Sequence, residues 1–131
     1  MTRRRRACGQ INFFGMNWIE LVSPDQLQAI RNESQEYPVL IFKHSTTCSI
    51  SAMVLYRLQR KSSGVNVPGL KMYYLDLRAH RDVSKAVENT FEVEHESPQV
   101  LIIDKGQAVY HRSHSEIDPS QIREFLGLTT S

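Results

Sequence analysis

The chain has little cysteine, no long apolar run and no basic surface stripe beyond its first few residues. Only two of its 131 residues are cysteines, Cys8 and Cys48, too few for the disulfide framework of a small secreted domain. No apolar segment approaches the roughly 20 residues that a transmembrane helix needs. Residues 1–15 also lack the long apolar centre of a secretory signal. These absences favour a cytoplasmic protein in a reducing compartment, with no membrane partner.

Positive charge is concentrated at the N-terminus. The formal net charge is +2, but four arginines at positions 3–6 precede the first acidic residue, Glu20. The twelve basic and fourteen acidic residues from position 16 onward sum to −2, so this part shows no basic stripe of the kind that nucleic acid requires. We expect residues 1–15 to be a disordered extension and residues 16–131 to form one domain. A transit peptide or an anion-binding arm are alternative interpretations of the extension.

Apolar spacing and turn signals divide the chain into alternating strands and helices. Apolar runs predict five strands, over residues 18–22, 39–42, 72–75, 100–103 and 108–111. Helical spacing predicts four helices; capping signals at Ser23 and Asp118 open the first and the last, and Gly127 is expected to end the last. The order β-α-β-α-β-α-β-β-α predicts an α/β protein with a thioredoxin-like fold, in which helices cover both faces of a central mixed sheet.

Cys48 stands at the junction between a predicted strand and a predicted helix. The first-turn N–H groups of a helix favour an anion, so this position favours the thiolate, which is the nucleophilic form. Lys43 and His44, just before the turn, can add positive potential. Ser51, one turn further on, can direct its hydroxyl at the sulfur, or it is an ordinary first-turn polar residue. The alternative for Cys48 itself is a small buried apolar residue.

A second motif lies about fifty residues further along the chain. Ser97 and Pro98 precede the apolar run 100–103, and a proline that opens a strand can hold a cis peptide bond. If Pro98 lies in cis beside the sulfur, it presents the backbone of Ser97 to an extended substrate segment. With Cys48 and Ser51, this motif predicts a thioredoxin-like site in which serine replaces the second cysteine of Cys-x-x-Cys.

Three short motifs resemble the YtxJ-type monothiol bacilliredoxin family. They are Thr47-Cys48-Ser49-Ile50-Ser51, His95-Glu96-Ser97-Pro98-Gln99 and Ser113-His114 with Ile117. The similarity runs from about Trp18 to the C-terminal helix, although position 49 is Ser where the family usually has Pro. The resemblance implies a thioredoxin fold and, in organisms with bacillithiol, release of that thiol from mixed disulfides on other proteins.

The candidate site follows from these motifs. Its catalytic residues are Cys48 and Ser51, and its substrate-binding residues are His44, Thr47, Ser97 and Pro98. No resident cofactor or metal is expected, since closed zinc sites usually have four ligands and the sequence shows no paired spacing. Because Ser51 cannot resolve a mixed disulfide on Cys48, an external small thiol, a second protein or Cys8 must do so.

Two functions of other classes remain open. An iron–sulfur carrier of the monothiol-glutaredoxin type would hold a cluster with one cysteine per subunit and a small thiol, but those proteins use Cys-Gly-Phe-Ser, which Ser49 and Ile50 do not match. A redox-silent thioredoxin-like binding module would keep the fold, and its thiol would be incidental.

Overall fold

The computed structural model describes residues 10–13, 16–59, 65 and 70–130. The described strands are β1 (Gln10–Phe13), β2 (Met16–Glu20), β3 (Val39–His44), β4 (Lys71–Asp76), β5 (Gln99–Asp104) and β6 (Gln107–Ser113). The described α-helices are α1 (Gln26–Glu33), α2 (Ser49–Leu58), α3 (Arg81–Phe91) and α4 (Pro119–Thr130), and a short 3-10 helix, His114–Glu116, precedes α4.

The strands form one mixed sheet in the order β1-β2-β4-β3-β5-β6. The central strand β3 pairs in parallel with β4 and antiparallel with β5. β5 and β6 form an antiparallel hairpin, and Lys105 and Gly106 in its turn both have positive φ angles. This topology confirms the predicted thioredoxin-like α/β fold.

Each face of the sheet carries its own apolar core. Successive residues of a strand point to opposite faces, so Leu40 and Phe42 of β3 pack toward α2 and α4. Val39 and Ile41 pack toward α1 and α3 on the other face. All six residues of β3 are buried, which explains why the apolar run 39–42 has no polar alternation.

The helix-start signal at Asp118 forms the contact that the sequence predicts, whereas the one at Ser23 forms only in part, because α1 begins at Gln26 and its N-cap is Asp25. Gln26 Oε1 accepts hydrogen bonds from the backbone N–H groups of Val22 and Ser23, at 2.7 and 3.0 Å. Asp118 Oδ1 accepts the N–H of Ser120 at 2.9 Å. The predicted helix end at Gly127 is wrong, because α4 continues to Thr130. A glycine inside a helix costs only about 1 kcal/mol relative to alanine, which is too little to stop a helix anchored by packing.

The sheet begins inside the segment that the sequence predicts to be disordered. β1 pairs antiparallel with β2, from Gln10 opposite Ile19 to Phe13 opposite Met16. The prediction of a disordered extension over residues 1–15 therefore does not hold for residues 10–13. Without β1, β2 would be an edge strand with open N–H and C=O groups, and the polar–apolar alternation of residues 10–13 suits a strand. Residues 1–9, with the four arginines and Cys8, lie outside the described part.

Candidate active site

Cys48 occupies the N-cap of α2, on the turn that leaves the end of β3. Its backbone is extended, with φ −105° and ψ 123°. Its N–H donates to the carbonyl of Ser45 at 3.1 Å, and its carbonyl accepts the N–H of Ala52 at 3.0 Å. The thiol is partly exposed, and no side chain caps the first turn of α2. Cys48 is therefore partly accessible and stands at a helix N-terminus, where unpaired N–H groups favour negative charge.

Ser51 does not direct its hydroxyl at the sulfur, contrary to the expectation from the sequence. The side chain is fully buried; its Oγ lies 2.6 Å from His44 Nδ1 and accepts the backbone N–H of Ser45 at 3.0 Å. The Ser51 hydroxyl and His44 Nδ1 are therefore bonded to each other, and the His44 tautomer sets which of them donates. Ser51 therefore ties the start of α2 to the end of β3.

His44 is a buried, neutral partner of Ser51. Only 5% of the residue is exposed, and its ring lies 5.7 Å from the Phe42 ring and 5.5 Å from the Tyr74 ring, centroid to centroid. Burial lowers the pKa of His44, and the nearby Asp76 carboxylate opposes that shift only partly.

The predictions that His44 binds substrate and adds positive potential are therefore wrong. β3 continues to position 44, and strand alternation puts this ring on the same face as Leu40 and Phe42.

Thr47 forms the exposed side of the same turn. Its Oγ1 lies 3.5 Å from the hydroxyl of Ser45 and 3.5 Å from Nη1 of Arg78. Arg78 follows β4, so the turn that carries Cys48 contacts the next crossover of the fold. Thr47 is accessible, as its predicted role in substrate binding requires.

Ser97 and Pro98 lie at the start of β5, beside the end of β3. The Ser97–Pro98 peptide bond is cis, which confirms the prediction from the sequence. Gln99 pairs with Lys43 in the β3–β5 ladder, so Pro98 follows on toward the end of β3 from which the Cys48 turn departs. The Pro98 carbonyl accepts the N–H of His114 at 2.9 Å. The 3-10 helix that begins at His114 contacts α2. The motif at Ser113 and His114 therefore lies beside the helix that follows Cys48.

A buried lysine cluster lies on the opposite face of the sheet, which the sequence reasoning did not identify. Lys43 is fully buried, and its Nζ lies 3.2 Å from His95 Nδ1, which is itself 3.2 Å from the Ser84 hydroxyl. The backbone N–H of His95 donates to the Glu88 carboxylate at 3.0 Å. Burial lowers the pKa of Lys43 to about 8, with the Glu88 carboxylate opposing the shift. Strand alternation from Val39 and Ile41 was the signal that places position 43 on this face.

The described residues contain neither a metal-binding cluster nor a membrane-spanning helix. No three His, Cys, Asp or Glu side chains within residues 10–13, 16–59, 65 and 70–130 converge as a metal site would require. No helix in the same part of the chain is both long enough and apolar enough to cross a bilayer.

Comparison with known families decides the relationship. A family model described as monothiol bacilliredoxin BrxC matches residues 19–122, a segment that contains Cys48, Ser51, Ser97 and Pro98. The chain belongs to the monothiol bacilliredoxin family. Cys48 and the cis Ser97–Pro98 motif thus both lie within the segment that the family model matches.

Solved structures agree with the thioredoxin-like fold. A protein described as a candidate oxidoreductase with a thioredoxin fold is 31% identical, with a TM-score of 0.70, and the match covers 81% of this chain and 90% of that one. The thioredoxin of Malassezia sympodialis is 16% identical, with a TM-score of 0.64 and coverage of 86% and 90%. The thioredoxin of Trypanosoma brucei brucei is 14% identical, with a TM-score of 0.65 and coverage of 86% and 89%. The fold and the family together support a function in thiol redox chemistry.

Proposed function

We propose that this bacilliredoxin is a cytoplasmic monothiol–disulfide oxidoreductase that removes a bacillithiol-like small thiol from mixed disulfides on other proteins. The observation that carries the proposal is the pair of positions 48 and 51. Cys48 is partly exposed at the start of α2, and the position of a second active-site cysteine holds Ser51, whose hydroxyl is engaged with His44. The site can therefore accept a thiol but cannot release it by internal exchange.

The proposed cycle has two balanced exchanges. In the first, the Cys48 thiolate attacks the small-thiol sulfur of a protein mixed disulfide; a new S–S bond forms on Cys48, and the client cysteine leaves as a thiolate. In the second, the thiolate of another small thiol attacks the small-thiol sulfur of this adduct. That step produces the oxidised dimer of the small thiol and returns Cys48 as a thiolate. The small thiol is a co-substrate, and no resident cofactor takes part.

Other residues of the site have supporting roles in this proposal. The client segment contacts the exposed Thr47 in the turn before Cys48 and the backbone of Ser97 before β5. Ser51 and His44 are positioning residues, since both are buried and bond to each other. They hold the first turn of α2, which begins directly after Cys48, against the end of β3.

A transfer assay tests the proposal. A client protein with one cysteine, loaded as a mixed disulfide with bacillithiol, is incubated with the wild type, and both proteins are followed by intact mass. We expect the client to lose the thiol while Cys48 gains it, with turnover only after further small thiol is added. Cys48→Ser should abolish the transfer. Transfer at the wild-type rate in Cys48→Ser would refute the proposal, and so would a Cys48-dependent visible absorbance after anaerobic incubation with iron and sulfide together with no transfer.

A further inference from the structure

A polar groove of about 440 Å³ lies beside the turn that carries Cys48, and both the turn and α3 contribute to its lining. We propose that this groove binds the carboxylate groups of the small thiol while its sulfur is bonded to Cys48, so that the protein selects anionic small thiols. This inference rests on the proposed function and adds the chemical class of its co-substrate.

The groove carries an excess of positive charge. Arg78, Arg81 and Lys85 line it and are exposed, whereas Glu88 is the one carboxylate among its lining residues. Within the described part of the chain, none of these three cations forms an ion pair. The Glu88 carboxylate already accepts the N–H of His95 at 3.0 Å. The groove therefore offers positive charge that no internal partner neutralises.

The arrangement of these cations is not explained by helix stability. Arg81 and Lys85 are four residues apart on α3, and like charges at that spacing destabilise a helix. The nearby Asp76 carboxylate accepts the backbone N–H groups of Arg78 and Ala79, at 3.0 and 3.3 Å, rather than pairing with the guanidinium group. An anionic ligand is the partner that this arrangement fits.

Ser45 connects the groove to the backbone of Cys48. Ser45 lines the groove, and its carbonyl accepts the N–H of Cys48 at 3.1 Å. Arg78 Nη1 lies 3.5 Å from the hydroxyl of Thr47, and the α-carbons of Thr47 and Cys48 are about 3.8 Å apart as chain neighbours. A thiol whose carboxylates are several bonds from its sulfur can therefore reach the cations while it is bonded to Cys48.

The test compares two disulfide probes that differ only in their carboxylates. Oxidised glutathione carries free carboxylates, and its ethyl ester has all of them blocked. The Cys48 thiolate attacks one sulfur of the probe, forms a Cys48 mixed disulfide and releases the other half as a thiolate. Initial rates of this adduct are measured by intact mass at low and high salt. The proteins are the wild type, the double variant Arg78→Gln/Arg81→Gln and the control Arg31→Gln, which removes one positive charge away from the groove. Arg31 lies on α1 near the Gly106 turn, at the other end of the sheet.

Each exposed cation is expected to contribute about threefold to the rate with the anionic probe. The double variant should therefore react about tenfold more slowly than the wild type with oxidised glutathione, and within about twofold of it with the ester. High salt should bring the wild type close to the double variant, and Arg31→Gln should match the wild type throughout.

Two results would overturn the inference without touching the proposed function. One is equal adduct rates for the wild type and the double variant with oxidised glutathione. The other is an equal loss with both probes, or in Arg31→Gln, which would show that the cations act through folding or through overall charge. If Cys48 forms no adduct with either probe or with oxidised bacillithiol in any protein, the proposed function fails and the inference with it.

Discussion

Replacing Ser51 by alanine should destabilise the protein well beyond the effect of an ordinary surface substitution. The side chain is fully buried, and its Oγ has two partners, His44 Nδ1 at 2.6 Å and the Ser45 N–H at 3.0 Å. Alanine would leave the buried His44 and the partly buried Ser45 N–H without this hydrogen bond, and an unsatisfied buried group costs about 1–3 kcal/mol. We expect a loss of about 3 kcal/mol in the free energy of unfolding, which corresponds to a fall in Tm of about 10 °C for a domain of this size.

The structure supplies both the reporter and the control for this measurement. Trp18 is the only tryptophan of the chain, it is fully buried, and its indole N–H donates to Gln59 Oε1 at 2.7 Å. Its fluorescence should follow urea unfolding under reducing conditions. Ser49→Ala is the matched control, because Ser49 is exposed in the same first turn, and its effect should stay within about 0.5 kcal/mol.

A double-mutant cycle identifies the partner. In a His44→Phe background Ser51 has already lost its histidine partner, so Ser51→Ala should cost about 1–2 kcal/mol less than in the wild type. A Ser51→Ala variant that unfolds at the same urea concentration as Ser49→Ala would refute the structural role of Ser51. An equal loss of unfolding free energy on Ser51→Ala in both backgrounds would show that His44 is not the partner that makes Ser51 stabilising.

Three further predictions follow from the same buried groups. Lys43→Met should raise stability at pH 7 by about 2 kcal/mol, since a buried charge is replaced by an apolar side chain of similar length. The folded pKa of Lys43 is about 8, below the value of about 10.4 for an unfolded lysine. The wild type therefore gains stability as pH rises from 8 to 10, and the advantage of the variant, measured by urea midpoints, should shrink over that range; a constant advantage would contradict this account. Because burial lowers the pKa of His44, stability is lost as pH falls below about 6.5; His44→Phe should flatten that loss between pH 7 and 5, and an unchanged slope would count against it. Ser51→Cys should give a Cys-x-x-Cys site that oxidises to an internal disulfide. Intact mass should then show the loss of two hydrogens in place of the small-thiol adduct. A persistent adduct would show that a side chain at position 51 cannot reach the Cys48 sulfur.

The sequence predicts the order of elements well because local signals determine it. Apolar runs, capping side chains and the hairpin turn act within a few residues, and they appear in the structure where the pattern places them. Cys48 is found at the start of α2 and the Ser97–Pro98 bond is cis for the same reason. The strand β1 was not predicted because it forms by pairing with the open edge of β2. A pattern of four residues does not show that such an edge is available.

The contacts of individual site residues depend on packing and could not be predicted in the same way. A serine in the first turn of a helix can point to the sulfur or to the core. The choice was decided by His44, which is the last residue of β3 and shares a face with Phe42. The predicted strand ended at position 42, so the sequence did not show that His44 continues β3 and lies on the same face as Phe42. The groove cations Arg78, Arg81 and Lys85 are about thirty or more residues from Cys48 along the chain, so only the tertiary fold brings them beside it.

The most direct test of the central claim is the intact mass of the protein isolated from its host after oxidative challenge, with free thiols blocked at lysis. We expect a small-thiol adduct on Cys48, located by peptide mapping, in the wild type and equally in Cys8→Ser. Unmodified Cys48 after the challenge, or a Cys8–Cys48 disulfide as the main species of the wild type, would contradict the monothiol account.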